Sequence, residues 1–347
     1  MYLDEQLITY LGNKRKLLNI INQAVEPEGK ICLDLFSGSG VVARSFKEGG
    51  CRKIIVNDLE YYSKIINQCY LTNFSDFPLD YDLYFQEIKK EKIIEGFISK
   101  LYAPKNSNFI EKNERCFFTT ENAKILDTYL KAIFSIVPEE KRCFYIAPLL
   151  SQASVHSNTS GVFKGFYKNK QGIGQWGGEG KNALSRICGK IELLKPVLSS
   201  KENEVEIFQE DVCKTNHIFK CDIAYLDPPY NQHPYGSNYF MLNVIAKNEM
   251  PEKISKVSGI PLDWNRSLFN KKKQALEALQ LTLSKIIANK IVISYNNEGF
   301  IQYEEMLKLL KEYGDVYVLS EEYPTFRGCR NLSNRDIHTT EYLFCIM

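Results

Sequence analysis

Short runs of apolar, often β-branched residues recur in both ends of the chain and predict β-strands. Continuous apolar runs of this kind are typical of strands covered by helices on both faces, as in a parallel sheet. Helix-like patterns lie between them, so the order of strand, turn, helix and strand predicts an α/β fold. The predicted strands cover residues 31–36, 53–57, 205–208, 222–226, 291–295, 315–319 and 341–347. The predicted helices cover residues 14–23, 41–48, 61–72 and 271–289.

The α/β pattern stops between the second and third predicted strands. Because the strands on both sides look like parts of one sheet, the middle of the chain is predicted to be an inserted, mainly helical domain. It ends in a stretch rich in glycine and lysine, residues 161–189. The helices predicted in it cover residues 81–101, 121–136 and 141–154. The predicted organisation is an α/β domain in two parts, 1–73 and 201–347, around an insertion at 74–200.

Composition and charge exclude several classes of protein. The chain has 347 residues, and 44 Lys and Arg against 42 Asp and Glu give a formal net charge of +2, which argues against an evenly basic DNA-packing protein. The ten cysteines include no C-x-x-C pair, which argues against a structural zinc site. The N-terminus lacks the apolar core of a signal peptide, and no apolar stretch reaches the roughly 18 residues of a membrane span. We therefore expect a soluble, cytoplasmic protein that needs no metal.

A glycine-rich turn follows the first predicted strand in the sequence DLFSGSGVVA, which begins at Asp34. Gly38, Gly40 and Ala43 satisfy the G-x-G-x-x-G/A pattern of a turn that approaches a nucleotide closely. Asp58 ends the second predicted strand, where a carboxylate can accept hydrogen bonds from both hydroxyls of a ribose. The loop alone leaves a dinucleotide and S-adenosyl-L-methionine about equally open. Asp34 favours S-adenosyl-L-methionine, because a carboxylate there can bind an ammonium group but would repel a pyrophosphate.

The fourth predicted strand leads into the sequence Asp227-Pro228-Pro229-Tyr230. Transfer to an exocyclic amino group requires acceptors beside the amine, because the nitrogen lone pair is delocalised into the ring. The carboxylate of Asp227 and the carbonyl of Pro228 can each accept one N–H, and the two prolines stiffen the loop. Tyr230 can stack on the base, which must first be flipped out of a duplex. The chain has no Pro-Cys pair, so transfer to an amino group is favoured over methylation of a ring carbon.

These motifs resemble the Dam-like, DPPY-class adenine-specific DNA methyltransferases, in the motif order of the alpha group. The resemblance runs almost end to end, through TYLGNKRKLL (9–18), DLFSGSG, CFFTTENAKILD (116–127), SNTSGVFKGF (157–166), DPPY and ISYNNEGFI (293–301). It implies a class I methyltransferase fold, a Rossmann-like, mostly parallel seven-stranded sheet, with an inserted target-recognition domain. It also implies methylation of the 6-amino group of a flipped-out adenine at a specific site in double-stranded DNA. The implied biological role is that of the modification enzyme of a restriction–modification system, beside a cognate endonuclease.

The resemblance assigns roles to individual residues. Asp34 and the glycine loop would hold the methionine part of the cofactor, Asp58 the ribose and Asp211 the adenine. The residues expected to be catalytic are Asp227, Pro228, Pro229 and Tyr230. The residues expected to bind S-adenosyl-L-methionine are Tyr10, Gly12, Lys14, Asp34, Phe36, Ser37, Gly38, Gly40, Asp58, Asp211, Val212 and Asp227.

A basic segment inside the predicted insertion is the candidate DNA-contacting region. Residues 161–195 carry seven Lys or Arg against two Glu, so this segment sums to +5 and the remainder of the chain to −3. Lysines can neutralise phosphates, and aromatic side chains can stack on bases. The residues expected to contact DNA are Lys164, Lys168, Lys170, Trp176, Lys181, Arg186, Asn231, Tyr235, Asn238, Arg327 and Arg330.

Two alternatives stay open at this point. Within the methyltransferases, the chain could act on RNA or on the 4-amino group of cytosine. An NAD-dependent dehydrogenase could be built on the same glycine loop. Binding of S-adenosylhomocysteine rather than NAD would separate the methyltransferases from the dehydrogenase.

Overall fold

The computed structural model describes residues 2–181, 183–324 and 338–347. Its α-helices are α1 (Leu18–Val25), α2 (Val41–Glu48), α3 (Tyr61–Tyr70), α4 (Tyr81–Lys90), α5 (Phe97–Tyr102), α6 (Thr120–Ile136), α7 (Cys143–Val155), α8 (Leu184–Ile187), α9 (Tyr235–Asn238), α10 (Phe240–Lys247), α11 (Ala275–Leu283) and α12 (Tyr303–Leu310). Its strands are β1 (Ile31–Asp34), β2 (Lys53–Asn57), β3 (Glu204–Phe208), β4 (Phe219–Lys220), β5 (Ile223–Leu226), β6 (Ile286–Ile287), β7 (Lys290–Asn296), β8 (Val316–Pro324) and β9 (His338–Ile346). Short 3₁₀ helices cover Lys14–Leu17, Phe74–Asp76, Glu139–Lys141 and Leu268–Asn270. Within these ranges, every helix is too short or too polar to span a bilayer.

Seven strands form one sheet in the order β3-β2-β1-β5-β7-β9-β8. The five neighbouring strands β3, β2, β1, β5 and β7 run parallel, and β9 runs antiparallel to both β7 and β8. Cys32 and Leu33, adjacent on β1, belong to two different buried apolar clusters, so both faces of the sheet are covered. This burial explains why the strands read as continuous apolar runs. The sheet confirms the predicted α/β architecture and is that of a class I methyltransferase fold.

The order of the strands indicates where a ligand of this sheet is expected to bind. The chain leaves β1 toward β2 on one side, and later segments continue from β5 on the other, so the strand order reverses at β1. Ligands of open parallel sheets bind outside the carboxyl ends of the strands at such a switch point. Asp34, Asp58 and Asp227 stand at the carboxyl ends of β1, β2 and β5.

The chain forms two compact units. The sheet unit comprises Asn13–Phe74, Ser199–Pro234 and Arg266–Met347, and it contains the entire seven-stranded sheet. The helical unit comprises Met1–Gly12, Ser75–Leu198 and Tyr235–Asn265. The helical unit therefore combines the predicted insertion with two stretches that the sequence analysis assigned to the α/β domain.

Hydrogen bonds inside the helical unit explain why Tyr235–Asn265 belongs to it. The hydroxyl of Tyr102 donates to the carbonyl of Gly259 at 2.9 Å. The backbone N–H of Phe163 donates to the carbonyl of Asn238 at 2.7 Å. These contacts join segments that lie far apart in the sequence, so no local pattern announces them.

The predicted helix 81–101 is wrong in its length, because the structure divides it into α4 and α5. The carboxylate of Asp127 on α6 accepts backbone N–H groups of Gly96, Ile98 and Ser99 at 2.8, 2.9 and 2.9 Å. Such an acceptor satisfies the unpaired N–H groups that open a helix. A tertiary contact therefore starts a new helix inside one amphipathic run.

Two other predicted helices also differ from the structure. Residues 14–23 begin as a 3₁₀ turn before α1, which extends to Val25. Residues 271–289 contain α11 and then β6, which pairs in parallel with β4 in a second, two-stranded sheet. Strands of two residues are too short to leave a hydrophobic period in the sequence.

Candidate active site

A glycine turn joins β1 to α2. Gly38 and Gly40 have φ values of +52° and +72°, which favour glycine, and the N–H of Gly40 donates to the carbonyl of Ser37 at 2.8 Å. A Cβ atom at position 40 would lie 2.9 Å from Oδ1 of Asn67 on α3. Both the backbone conformation and the lack of space therefore require glycine at position 40.

Asp58 ties this turn to the end of β2. Its Oδ2 accepts the N–H of Gly38 at 2.7 Å, and its Oδ1 accepts the N–H of Glu60 at 2.8 Å. Burial raises the pKa of Asp58 to about 6, although these backbone hydrogen bonds act in the opposite direction. The carboxylate thus has a fixed orientation at the switch point of the sheet.

Asp34 is the most perturbed carboxyl group of the turn. Its side chain is 1% exposed, and its Oδ2 accepts the N–H of Ala43 on α2 at 3.1 Å. Its Oδ1 is buried and has no hydrogen-bond partner among the described residues. Burial, followed by the charges of Asp227 and Asp58, raises the pKa of Asp34 to about 8. A buried acceptor without a donor beside other carboxylates is suited to a cation.

Lys14 lies between two carboxylates. Its Nζ is 2.8 Å from Oδ1 of Asp227 and 3.3 Å from Oε1 of Glu341 on β9. Burial would lower the pKa of Lys14, but the charges of Asp227 and Glu341 outweigh it, so the pKa lies well above its usual value. For Asp227, burial raises the pKa to about 6, against the effect of Lys14. Lys14 therefore keeps its proton, and Asp227 is the group that titrates near neutrality.

Two neighbouring acceptors remain open beside β5. The Oδ2 atom of Asp227 and the carbonyl oxygen of Pro228 accept no hydrogen bond from any residue that the structure describes. The following residues are fixed, since the carbonyl of Tyr230 accepts the N–H of Phe300 at 2.9 Å and the carbonyl of Asn231 accepts from Asn270 at 2.8 Å. A rigid loop thus offers an adjacent carboxylate and carbonyl, the pair of acceptors that a primary amine requires.

A family of known proteins accounts for this combination of sheet, glycine turn and acceptors. Residues 10–309 match the family described as D12 class N6 adenine-specific DNA methyltransferase. The chain belongs to this family. The protein transfers a methyl group from S-adenosyl-L-methionine to the 6-amino group of adenine in DNA. The predicted activity is confirmed, and the family match gives no support to the alternatives of RNA, cytosine or dehydrogenase chemistry.

Individual relatives extend over the same length. This chain is 28% identical to the type II methyltransferase M.NlaIII of Neisseria lactamica, over 97% of this chain and 98% of that protein. It is 30% identical to the type II methyltransferase M.CviAII of Paramecium bursaria Chlorella virus 1, over 98% of each chain. It is also 28% identical to the modification methylase StsI of Streptococcus sanguinis, over 97% of this chain but 51% of that protein.

The carboxyl groups at the ends of the strands suit the charge of S-adenosyl-L-methionine. Asp34, Asp58 and Asp227 all have pKa values raised by burial, and Asp34 is raised further by the other two. Burial and mutual repulsion therefore disfavour ionisation of these carboxyl groups, and a bound cation would favour it. S-adenosyl-L-methionine brings two positive groups, a sulfonium and an ammonium, whereas a dinucleotide would bring a negatively charged pyrophosphate.

Other residues of the sheet unit that were predicted to bind the cofactor pack in the core or are held by hydrogen bonds in loops. Phe36 packs edge-on against Phe269, with ring centroids 5.4 Å apart, and Val212 is buried. After β3, Oδ1 of Asp211 accepts the N–H of Cys213 at 3.1 Å, and Oδ2 pairs with Lys214 at 2.7 Å. Asp211 is thereby oriented, and its contact with the adenine of the cofactor stays a prediction.

Tyr10 and Tyr235, predicted to contact different ligands, meet in the helical unit. The ring of Tyr10 stacks on those of Tyr235 and Tyr239, with centroids 5.0 and 4.9 Å apart. The hydroxyl of Tyr235 donates to the carbonyl of Leu11 at 3.0 Å, and that of Tyr239 accepts the N–H of Leu11 at 2.7 Å. Gly12 follows with φ of +73°. These contacts fix the backbone of the TYLGNKRKLL motif up to Gly12.

The structure describes nine of the eleven predicted DNA-contacting residues, Tyr235 among them, and these nine differ in exposure. Lys164, Lys168, Lys170 and Lys181 are exposed, as phosphate contacts require. Trp176 and Arg186 donate hydrogen bonds within the helical unit, where Asn238 is buried. Asn231 lies in the loop after β5, where its side chain accepts the N–H of His233. Arg327 and Arg330 lie outside the described residues.

Arg186 and Trp176 make contacts that support the fold. The guanidinium of Arg186 donates to the carbonyls of Val155, Ser157 and Thr159, the latter two at 3.0 and 3.2 Å. The indole N–H of Trp176 donates to the carbonyl of Ser107 at 2.8 Å. Both residues thus hold the SNTSGVFKGF segment and its surroundings in place, and their contact with DNA remains a prediction.

Glu341 is a residue of the site that the sequence analysis missed. It is 2% exposed on β9, accepts a hydrogen bond from the hydroxyl of Ser294 on β7 and contacts Lys14. One signal was available, since a carboxylate inside the apolar run 341–347 must have a partner if it is buried. The identity of that partner could not be read from the sequence, because it lies more than 300 residues away.

Proposed function

We propose that Asp227 and Pro228 hold the two N–H groups of the flipped-out adenine during methyl transfer. The observation that carries this assignment is the pair of adjacent open acceptors, Oδ2 of Asp227 and the carbonyl of Pro228. Each would accept one N–H of the 6-amino group, which orients the nitrogen for reaction. The face of Tyr230 would stack on the base. Its ring is itself held edge-on to Tyr295, with centroids 6.1 Å apart.

Asp34, Asp58 and Asp211 are assigned to the methionine, ribose and adenine parts of the cofactor. When bound, S-adenosyl-L-methionine supplies an electrophilic methyl group. Oδ1 of Asp34 would accept a hydrogen bond from the ammonium group, and the glycine turn leaves the backbone open to close approach. Val212 would form part of the apolar surface beside the cofactor adenine.

Asp227 is also assigned to the proton transfer. The 6-amino nitrogen becomes acidic only once it is methylated, so Asp227 acts first as a hydrogen-bond acceptor. With a pKa of about 6 it is ionised at neutral pH and can then take up the proton that the nitrogen releases. Lys14 keeps its own proton and so holds Oδ1 of Asp227 throughout.

We assign target recognition to the helical unit. Its exposed lysines Lys164, Lys168, Lys170 and Lys181 would contact phosphates of double-stranded DNA. Lys168 also lies over the ring of Phe166, with Nζ 4.9 Å from the centroid. Base flipping would then present the adenine to Asp227, at a cost of a few kcal/mol in lost pairing and stacking.

Modification within a restriction–modification system is the proposed biological role. The relatives described above are type II methyltransferases and a modification methylase, and two of them match this chain along nearly their whole length. A cognate endonuclease that cleaves the same unmethylated sequence would be the partner. Because the substrate is DNA, the location we propose for the enzyme is the cytoplasm.

The Asp227→Ala variant tests the catalytic assignment. We expect its single-turnover methylation rate to fall at least about 100-fold, because the amine is no longer oriented, while binding of S-adenosylhomocysteine weakens far less. The matched control is Glu206→Ala, which removes an exposed carboxylate on β3. Near-normal turnover by purified Asp227→Ala enzyme would overturn the assignment.

A further inference from the structure

Glu341 is a charged residue buried in β9, directly before the apolar part of that strand. It lies on β9, where its neighbours Leu343, Phe344 and Cys345 are also buried. Its Oε1 atom accepts a hydrogen bond from the hydroxyl of Ser294 on β7 and lies 3.3 Å from Nζ of Lys14. An isolated carboxylate in this position would be destabilising, so the contacts with Ser294 and Lys14 help to stabilise the buried charge.

The same lysine contacts the catalytic carboxylate. Nζ of Lys14 lies 2.8 Å from Oδ1 of Asp227, and Lys14 itself is 4% exposed. Asp227 follows β5, whereas Glu341 belongs to β9, so one ammonium joins carboxylates from two strands of the sheet. A charge-assisted hydrogen bond to Oδ1 restricts rotation of the Asp227 carboxylate. The atom left open by this arrangement is Oδ2.

We propose that Glu341 is a positioning residue for methyl transfer, which holds the ammonium of Lys14 so that Lys14 fixes Oδ1 of Asp227 and leaves Oδ2 to the adenine amine. This inference rests on the proposed role of Asp227. Glu341 lies outside residues 10–309, the range that matches the family model. Glu341 does not touch the reacting atoms, and it acts through Lys14.

The charges around the pair predict the direction of a pH effect. Asp227 faces Lys14, Glu341 and Asp34, with the hydroxyls of Tyr225 and Tyr230 nearby. The charge of Glu341 raises the pKa of Asp227, and that of Lys14 lowers it. Removal of the Glu341 charge should therefore move the acid limb of the rate profile to lower pH. Removal of the Lys14 charge should move it to higher pH.

Single-turnover methylation by Glu341→Gln, Lys14→Met and the double variant tests the proposal. We expect Glu341→Gln to slow methyl transfer about 10- to 100-fold at pH 7.5 and to shift the acid limb downward. In the Lys14→Met background the same substitution should cause no further loss of rate. An unchanged rate in Glu341→Gln, or an equal loss in the Lys14→Met background, would overturn the proposal.

Two further measurements separate this inference from its premises. Ser294→Ala removes the hydroxyl donor to Glu341 but no charge, so we expect a slower rate with the acid limb in place. An unchanged rate in Ser294→Ala contradicts the proposal even if Glu341→Gln does not fold. An active Asp227→Ala enzyme would refute the proposed function itself, whereas an inactive Asp227→Ala with normal Glu341→Gln would refute only the role of Glu341.

Discussion

Replacement of Asp34 by asparagine should stabilise the ligand-free protein and strongly weaken its stabilisation by the cofactor. The carboxyl group of Asp34 is 1% exposed, its Oδ1 has no partner among the described residues, and its pKa is raised to about 8, first by burial. Asparagine has nearly the same shape and can still accept the N–H of Ala43, but it carries no charge. The substitution therefore removes the cost of keeping this site ready for a cation.

The size of the effect follows from the pKa. At pH 7 the unfolded chain has released the Asp34 proton, while the folded protein retains it. Each pKa unit of difference corresponds to about 1.36 kcal/mol, so the cost at pH 7 is on the order of 4 kcal/mol. Because the pKa of Asp34 is raised on folding, its protonated form stabilises the folded protein at low pH. This contribution to the free energy of unfolding is lost as the pH rises toward about 8. Between pH 6 and pH 8 the loss is about 2 kcal/mol.

Urea unfolding of the wild-type protein and the Asp34→Asn variant at pH 6 and pH 8 measures this difference. We expect the variant to be more stable at both pH values, by a margin that grows by about 2 kcal/mol between them. S-adenosylhomocysteine at about 100 times its dissociation constant should stabilise the wild type by about 2.7 kcal/mol and the variant far less. A variant that is less stable without ligand, or that binds S-adenosylhomocysteine normally, would refute the reasoning about Asp34.

Two further predictions concern the helical unit. Changing Lys164, Lys168 and Lys170 together to alanine should weaken DNA binding and reduce the slope of log affinity against log salt by up to about 2.7, measured by fluorescence anisotropy at several salt concentrations. Arg186→Ala should lower the free energy of unfolding by about 2–3 kcal/mol, measured by urea titration, because buried carbonyls lose a charged donor. An Arg186→Ala protein of normal stability but weaker DNA binding would show that the side chain serves DNA instead.

A charge-matched control is available for the lysine variant. Lys89, Lys90 and Lys92 are also exposed in the helical unit, but they lie outside the basic segment 161–195. If replacement of these three control lysines by alanine reduces the salt dependence of DNA binding as much as replacement of Lys164, Lys168 and Lys170 does, the reduction reflects net charge alone. An unchanged salt slope in the first variant would rule out phosphate contacts by Lys164, Lys168 and Lys170.

The sheet could be predicted from the sequence because burial on both faces produces continuous apolar strands. The motifs at the strand ends could be predicted as well, since Asp58 and Asp227 directly follow such runs and Asp34 lies within one, just before the glycine turn. The parallel order of the sheet then brings these carboxylates to one edge. Local sequence patterns, together with the rule for ligand binding at switch points, are enough to predict where these carboxylates lie.

Long-range contacts could not be predicted in the same way. The contact of Glu341 with Lys14, and the start of α5 on Asp127, both depend on partners that are distant in the sequence. Arg186 was expected on the DNA because its charge belongs to a basic segment, yet three carbonyls of the fold use its guanidinium. Charge patterns show where cations are concentrated but not which of them the fold itself requires.

Sequencing of modified bases in a methylation-free host tests the central claim most directly. DNA would be sequenced from cells that express the wild-type chain and from cells that express Asp227→Ala at the same level. We predict N6-methyladenine at one short recognition sequence with the wild type and none with the variant. Methylated cytosine, or N6-methyladenine that persists with Asp227→Ala, would contradict the account.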